Sequence, residues 1–188
     1  MQPARLPLRV IRGVTLNETL RLMQPSRVYK PIESIEPSAP VRIKVPGHGL
    51  AGTWPVWFSG VDGLPDLNRE VRSGRPHSAR VVDVDTLEIN AIDATGMRPR
   101  GGRLVYLPPV DLAGVTGVLR VFDARTGKTL LQLDADNQGL QVLGPGTLRR
   151  RIEASADLPW STAPYRIDLT FPDGTVVRWF EGDAEVVP

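Results

Sequence analysis

Glycine and proline interrupt this chain too often for long helices. Eighteen of each stand among 188 residues, roughly a fifth of the chain against roughly 12% expected. Short apolar stretches between such breaks read as strands joined by turns. Hydrophobic residues make up 41% of the chain, too many for a disordered polypeptide. No apolar run approaches the ~18–20 residues of a spanning helix, so no membrane insertion is expected. The polar, proline-broken start lacks the form of a signal peptide. The absence of cysteine removes disulfides, thiolate metal sites and thiol nucleophiles together. A net charge of +2 is a poor footprint for nucleic acid, and no specific nucleic-acid partner is expected.

The expected fold is mainly β in three parts. Residues 1–40 read as an extended N-terminal arm, because Pro25, Pro31, Pro37 and Pro40 break any regular element. Such an arm, with apolar positions but little core of its own, suits strand addition to a neighbouring chain. Leu6, Leu8, Val10 and Arg12 are its candidate contact residues. Residues 41–107 read as a small β-barrel domain. Val41–Val45 alternates with period two, and residues 80–84 and 86–90 form a hairpin or one kinked strand. Pro108-Pro109 marks a boundary. Residues 108–188 then read as an immunoglobulin-like β-sandwich domain, with short strands at near-regular spacing and one helical turn at 153–160. Basic residues are in excess in the first 40 positions and acidic ones after 107, a polarity compatible with head-to-tail contacts between subunits.

No constellation of catalytic residues stands out. His48, between two glycines, and His77, after Pro76, have no orienting partner nearby and read as turn residues. Asp83 and Asp85 share one strand face but sit where a hairpin turns. The stretch Asp134–Gly139 echoes a calcium loop, yet the twelfth position is Pro145 where a bidentate Glu is needed. No catalytic residue, cofactor or metal is therefore expected. Arg149, Arg150 and Arg151 form the densest basic run, split between two faces of a strand, and are candidate interface residues. Trp54 and Trp57 read as small-barrel core, a subunit contact or a sugar platform.

A series of short motifs resembles a class of tailed-bacteriophage virion proteins. It comprises Tyr29-Lys30-Pro31-Ile32, Ala39–Ile43, Gly47-His48-Gly49-Leu50, Gly60–Gly63, Leu67-Asn68, Asp85–Asn90, Gly101–Leu104 with Tyr106, Pro108–Gly114, and Tyr165–Leu169 with Asp173-Gly174 and Gly182. The resemblance implies a non-enzymatic structural protein of the tail, neck or fibre-attachment region. It would form a homo-oligomer within a symmetric assembly, contact other virion proteins, and reside in the virion after assembly in the host cytoplasm. A capsid decoration protein and a host-surface carbohydrate-binding module of the tail are the alternatives.

Overall fold

The computed structural model describes residues 2–188. Its strands run in chain order as β1 (Ala4–Arg5), β2 (Leu8–Ile11), β3 (Leu16–Arg21), β4 (Val28–Pro31), β5 (Ser34–Glu36), β6 (Val41–Lys44), β7 (Thr53–Ser59), β8 (His77–Val81), β9 (Thr86–Ile89) and β10 (Arg103–Tyr106). They continue as β11 (Thr116–Phe122), β12 (Thr129–Leu133), β13 (Leu140–Gly144), β14 (Thr147–Ile152), β15 (Thr162–Thr170) and β16 (Val176–Val187). A short 3-10 turn, Pro65–Leu67, is the only helical element among the described residues.

These strands form two compact units, and the first is discontinuous. It joins the chain up to Leu22 with Asp111–Pro188, while Met23–Val110 forms the second, inserted unit. The breaks between the units fall at Leu22/Met23 and at Val110/Asp111. The expected arm does not exist as a free segment. Residues 4–21 hold three strands of the discontinuous unit, and the rest opens the inserted unit. The cause is apolar complementarity at long range: Leu8, Val10, Leu20 and Leu22 are buried, against a core supplied by residues more than a hundred positions later.

The discontinuous unit has two sheets. One runs β1-β16-β15-β11-β12, with β2 also on β16; the other runs β13-β14-β3. Strands β1 and β2 pair parallel with β16, while β3 pairs antiparallel with β14 from Leu16↔Ile152 to Arg21↔Thr147. Strict alternation places Ile167 and Leu169 of β15 inward with Leu119 and Val121 of β11. A Cβ on Gly117 would lie 2.9 Å from side-chain atoms of both Leu140 and Leu169, so this glycine lets the two sheets approach. The last strand, β16, is twelve residues long. It carries one extra residue, Trp179, opposite the Ile167/Asp168 step. Residues 153–160 form a loop and not the expected helical turn.

Gly182 sets how the N-terminus docks. A Cβ there would collide with the Leu6 carbonyl oxygen, the group next to the Leu6 N–H that donates to Glu181 O at 3.0 Å. Gly182→Ala is expected to lift β1 and the start of β2 from β16 and to cost about 1–3 kcal/mol, the usual range for overpacking. Chemical denaturation measures the loss, and faster amide exchange at Leu6 locates it.

The inserted unit is a single curled sheet in the order β4-β10-β7-β8-β9-β6-β5. Its two end strands are consecutive in the chain. Ile32 N–H donates to Gly102 O at one end, and Glu33 N–H donates to Lys44 O at the other. One stretch therefore ties both ends of the sheet, and the curl follows. The concave face buries Trp54, Val56 and Phe58 of β7 with Ile43, Leu87 and Leu104. The chain enters and leaves this unit side by side. Gln24 N–H donates to Pro108 O at 2.8 Å, and Gln24 Nε2 to Pro109 O at 3.0 Å. Paired ends suit an insertion, since the host strands need not be forced apart.

Candidate functional site

Three of the four candidate N-terminal contact residues are committed within their own unit. Leu8 and Val10 are 1% exposed. Leu6 donates to Glu181 and accepts a 2.5 Å hydrogen bond from the Tyr165 hydroxyl. Arg12 is exposed but donates to Leu158 O at 3.2 Å. Residues held this way cannot leave to join a neighbour's sheet without dismantling their own, which corrects the strand-donation expectation.

Arg150 explains much of that hold. It is 3% exposed, pointing inward between Leu148 and Ile152 on β14. Its Nε donates to Glu18 Oε2 at 2.7 Å, and Nη2 lies 2.5 Å from the same oxygen. Nη1 reaches the Tyr165 hydroxyl at 3.5 Å and Nη2 the Pro7 carbonyl at 3.4 Å. One buried cation thus ties β3, β14, β15 and the link between β1 and β2. Arg150 is an internal tie and not an interface residue, whereas Arg149 and Arg151 point to the opposite face. Arg149 Nη2 donates to Gln141 Oε1 while its Nε has no partner; Arg151 pairs with Glu153 at 3.0 Å. The alternation separates the run, as period two requires.

The tryptophans are held by their indole N–H groups. Trp54 is 1% exposed and donates to Leu107 O at 2.9 Å. Trp57 is half-buried and donates to Gly74 O at 2.8 Å. Trp54 therefore offers no face for a sugar or a subunit.

Both histidines are buried: His48 follows the Pro46-Gly47 turn, whereas His77 is the first residue of β8 and not a turn residue. Leu50 N–H donates to His48 Nδ1 at 3.0 Å, which leaves the proton on Nε2, 3.2 Å from Asp83 O. Around it, the Tyr106 hydroxyl donates to His48 O at 2.6 Å and Gly47 N–H to Asp85 Oδ1 at 2.7 Å. Asp83 and Asp85 thus brace a hairpin turn and do not form a paired-carboxylate site. His77 Nε2 lies 2.9 Å from Leu67 O and 3.3 Å from Arg69 Nε. It cannot donate to one and accept from the other; the shorter contact places the proton on Nε2. Burial lowers the pKa of both histidines. The unfolded chain then binds more protons below the ordinary histidine value near 6.5. Stability is full above that value and falls as pH drops through it toward the lower folded pKa values. A steadily falling melting temperature between about pH 7 and 5 is expected, and His48→Gln should flatten part of the slope.

Glu88 is the buried carboxylate of the inserted unit. Arg80 donates to Oε1 through Nε at 3.0 Å and Nη2 at 2.7 Å, and Arg42 Nε lies 3.4 Å from Oε2. The Arg80 guanidinium holds its carboxyl below the usual range. Sequence reasoning passed over this triad, although Arg42, Arg80 and Glu88 all lie in alternating strands that could bring them side by side. Beside it the sheet opens. Strands β8 and β9 pair only at Arg80↔Glu88 and Val81↔Leu87. Past that point a groove of about 800 Å³ is lined by Ser78, His77, Asn90 and Ala91 among others. It continues into a second of about 600 Å³ toward Asp66 and Asp93. No group of three or more potential metal ligands occurs among the described residues.

Compared with protein-family models and with curated proteins, the chain matches none.

Proposed function

We propose that this chain is a non-enzymatic structural component of a tailed-bacteriophage particle, an adaptor of the tail, neck or fibre-attachment region. The observation carrying this reading is where the phage-like motifs fall in the fold. Gly47 and His48 form a braced turn. Asn68 exchanges two hydrogen bonds with the Val61 backbone. Tyr106 ties β10 to the Gly47-His48 turn, and Gly182 seats the N-terminus. The motifs that resemble those virion proteins are scaffold positions, which suits a protein whose role is structural.

The same reading includes an immunoglobulin-like sandwich for the discontinuous unit. The order β16-β15-β11-β12 corresponds to G-F-C-C′, and β3-β14-β13 to B-E-D. The inserted unit then lies between the second and third strands of that sandwich. Two rigid β units on one chain suit a part that repeats by symmetry and contacts several neighbours.

Quantitative mass spectrometry of purified particles, with antibody labelling in the electron microscope, tests this reading. A few to a few dozen copies at the neck or tail support it. Hundreds over the head point to the decoration alternative, and absence from particles overturns the structural role.

A further inference from the structure

We infer that the seam between β8 and β9 takes up an extended peptide segment of another protein. This goes beyond the structural role proposed above and does not depend on it.

Val81 N–H donates to Gly52 O and Val82 N–H to Thr86 O. Backbone groups alternate along a strand, so Ala79 and Val81 face β7 while Ser78 and Arg80 face β9. Arg80 meets Glu88 there. Ser78 is the next residue in that series, and β9 has ended before it could be paired: its last residue is Ile89, and Asn90 begins a turn. Pro55 lies opposite Ser78 on β7, at a position where the Ser78 N–H and C=O point away from β7. Those groups open into the 800 Å³ groove instead. A backbone donor and acceptor at the rim of an open cleft is the feature that strand addition uses.

Charge sets the polarity of the occupant. Arg80 and Glu88 line only the first groove and Asp66 and Asp93 only the second, while Arg69 and His77 line both. Glu88 is shared by Arg80 and Arg42, so the Arg80 end carries net positive charge. The Asp66–Asp93 end is acidic. Antiparallel pairing is the commoner arrangement. A strand running antiparallel to β8 places its N-terminal end near Arg80. The fitting segment is acidic there, polar or β-branched along its middle, and basic at its C-terminal end.

The test is an amide-NMR titration of the full chain with the blocked hexapeptide Ac-Asp-Val-Thr-Val-Thr-Lys-NH2. The expected result is a shift of the Ser78 amide and slower exchange there, at peptide concentrations up to about 1 mM, the level weak recognition reaches. Reversing the charge order of the peptide should weaken binding about tenfold, and N-methylating its central amides should abolish it. The exposed double variant Asp66→Lys, Asp93→Lys, which makes the acidic end basic, should instead abolish the preference between the two charge orders. No response at Ser78, equal binding of the two charge orders by the unaltered chain, or binding of the N-methylated peptide overturns the inference. So does a response to a neutral hexasaccharide in place of the peptide, which would make the groove a sugar site.

Discussion

A chain that begins at Val14 loses the fold of its own C-terminal half. The missing residues carry β1 and β2, which extend the larger sheet of the discontinuous unit along β16. Leu8 and Val10 leave with them, both 1% exposed, and burial of such side chains is worth about 1.5–3 kcal/mol each. Removing them also uncovers Ala184 and Val186, their buried neighbours on β16. The Tyr165 hydroxyl loses the Leu6 carbonyl, and Arg150 loses that of Pro7. The combined loss, roughly 4–7 kcal/mol, rivals the 5–15 kcal/mol that holds a typical domain. Amide NMR of the truncated chain should show collapsed dispersion for residues 111–188. Signals of the inserted unit should persist, because its core and paired ends lie within 23–110. Retained dispersion throughout would show that the N-terminal strands are accessory, and the free-arm view would return.

That dependence could not be read along the chain. Local signals were legible: period-two alternation located β6, and the Asp83–Asp85 stretch is the turn of a hairpin between β8 and β9. Pairing across the whole length was not. Leu16 meets Ile152 and Leu8 meets Ala184, partners that no local pattern announces. A proline-rich stretch after Leu22 resembles the end of an arm as much as the start of an inserted unit. Buried charge misled for a related reason. Arg150 sits amid three arginines that read as solvated or as a subunit contact, yet the strand's alternation turns its middle member inward. Glu88 looks like any polar position in a strand until Arg42 and Arg80 close on it from both sides. The seam beside it depends on where two strands stop pairing, a property of the curled sheet and not of either strand.

The second large effect is expected at Trp54. Trp54→Ala should destabilise the inserted unit by about 3–5 kcal/mol, the range for removing a fully buried large aromatic. The side chain lies in the concave core near Phe58 and Leu104, and its loss leaves a cavity that a curled sheet tied at both ends closes poorly. It also orphans the Leu107 carbonyl near the exit from the unit. Trp54→Phe separates the two contributions, keeping much of the ring volume and removing the N–H, a hydrogen bond worth about 1 kcal/mol. Trp57→Ala removes a half-buried ring and the tie to Gly74. It should cost about 1–2 kcal/mol and loosen the loop between Leu67 and His77, which borders the seam. Denaturant unfolding measures each loss. Equal, small effects at both positions would mean that Trp54 is not a keystone of the curl. If the ordering holds, a change in ligand or particle binding on Trp54→Ala reports unfolding of the unit. The same change on Trp57→Ala, with the fold intact, reports the loop, so the pair distinguishes lost scaffold from lost contact.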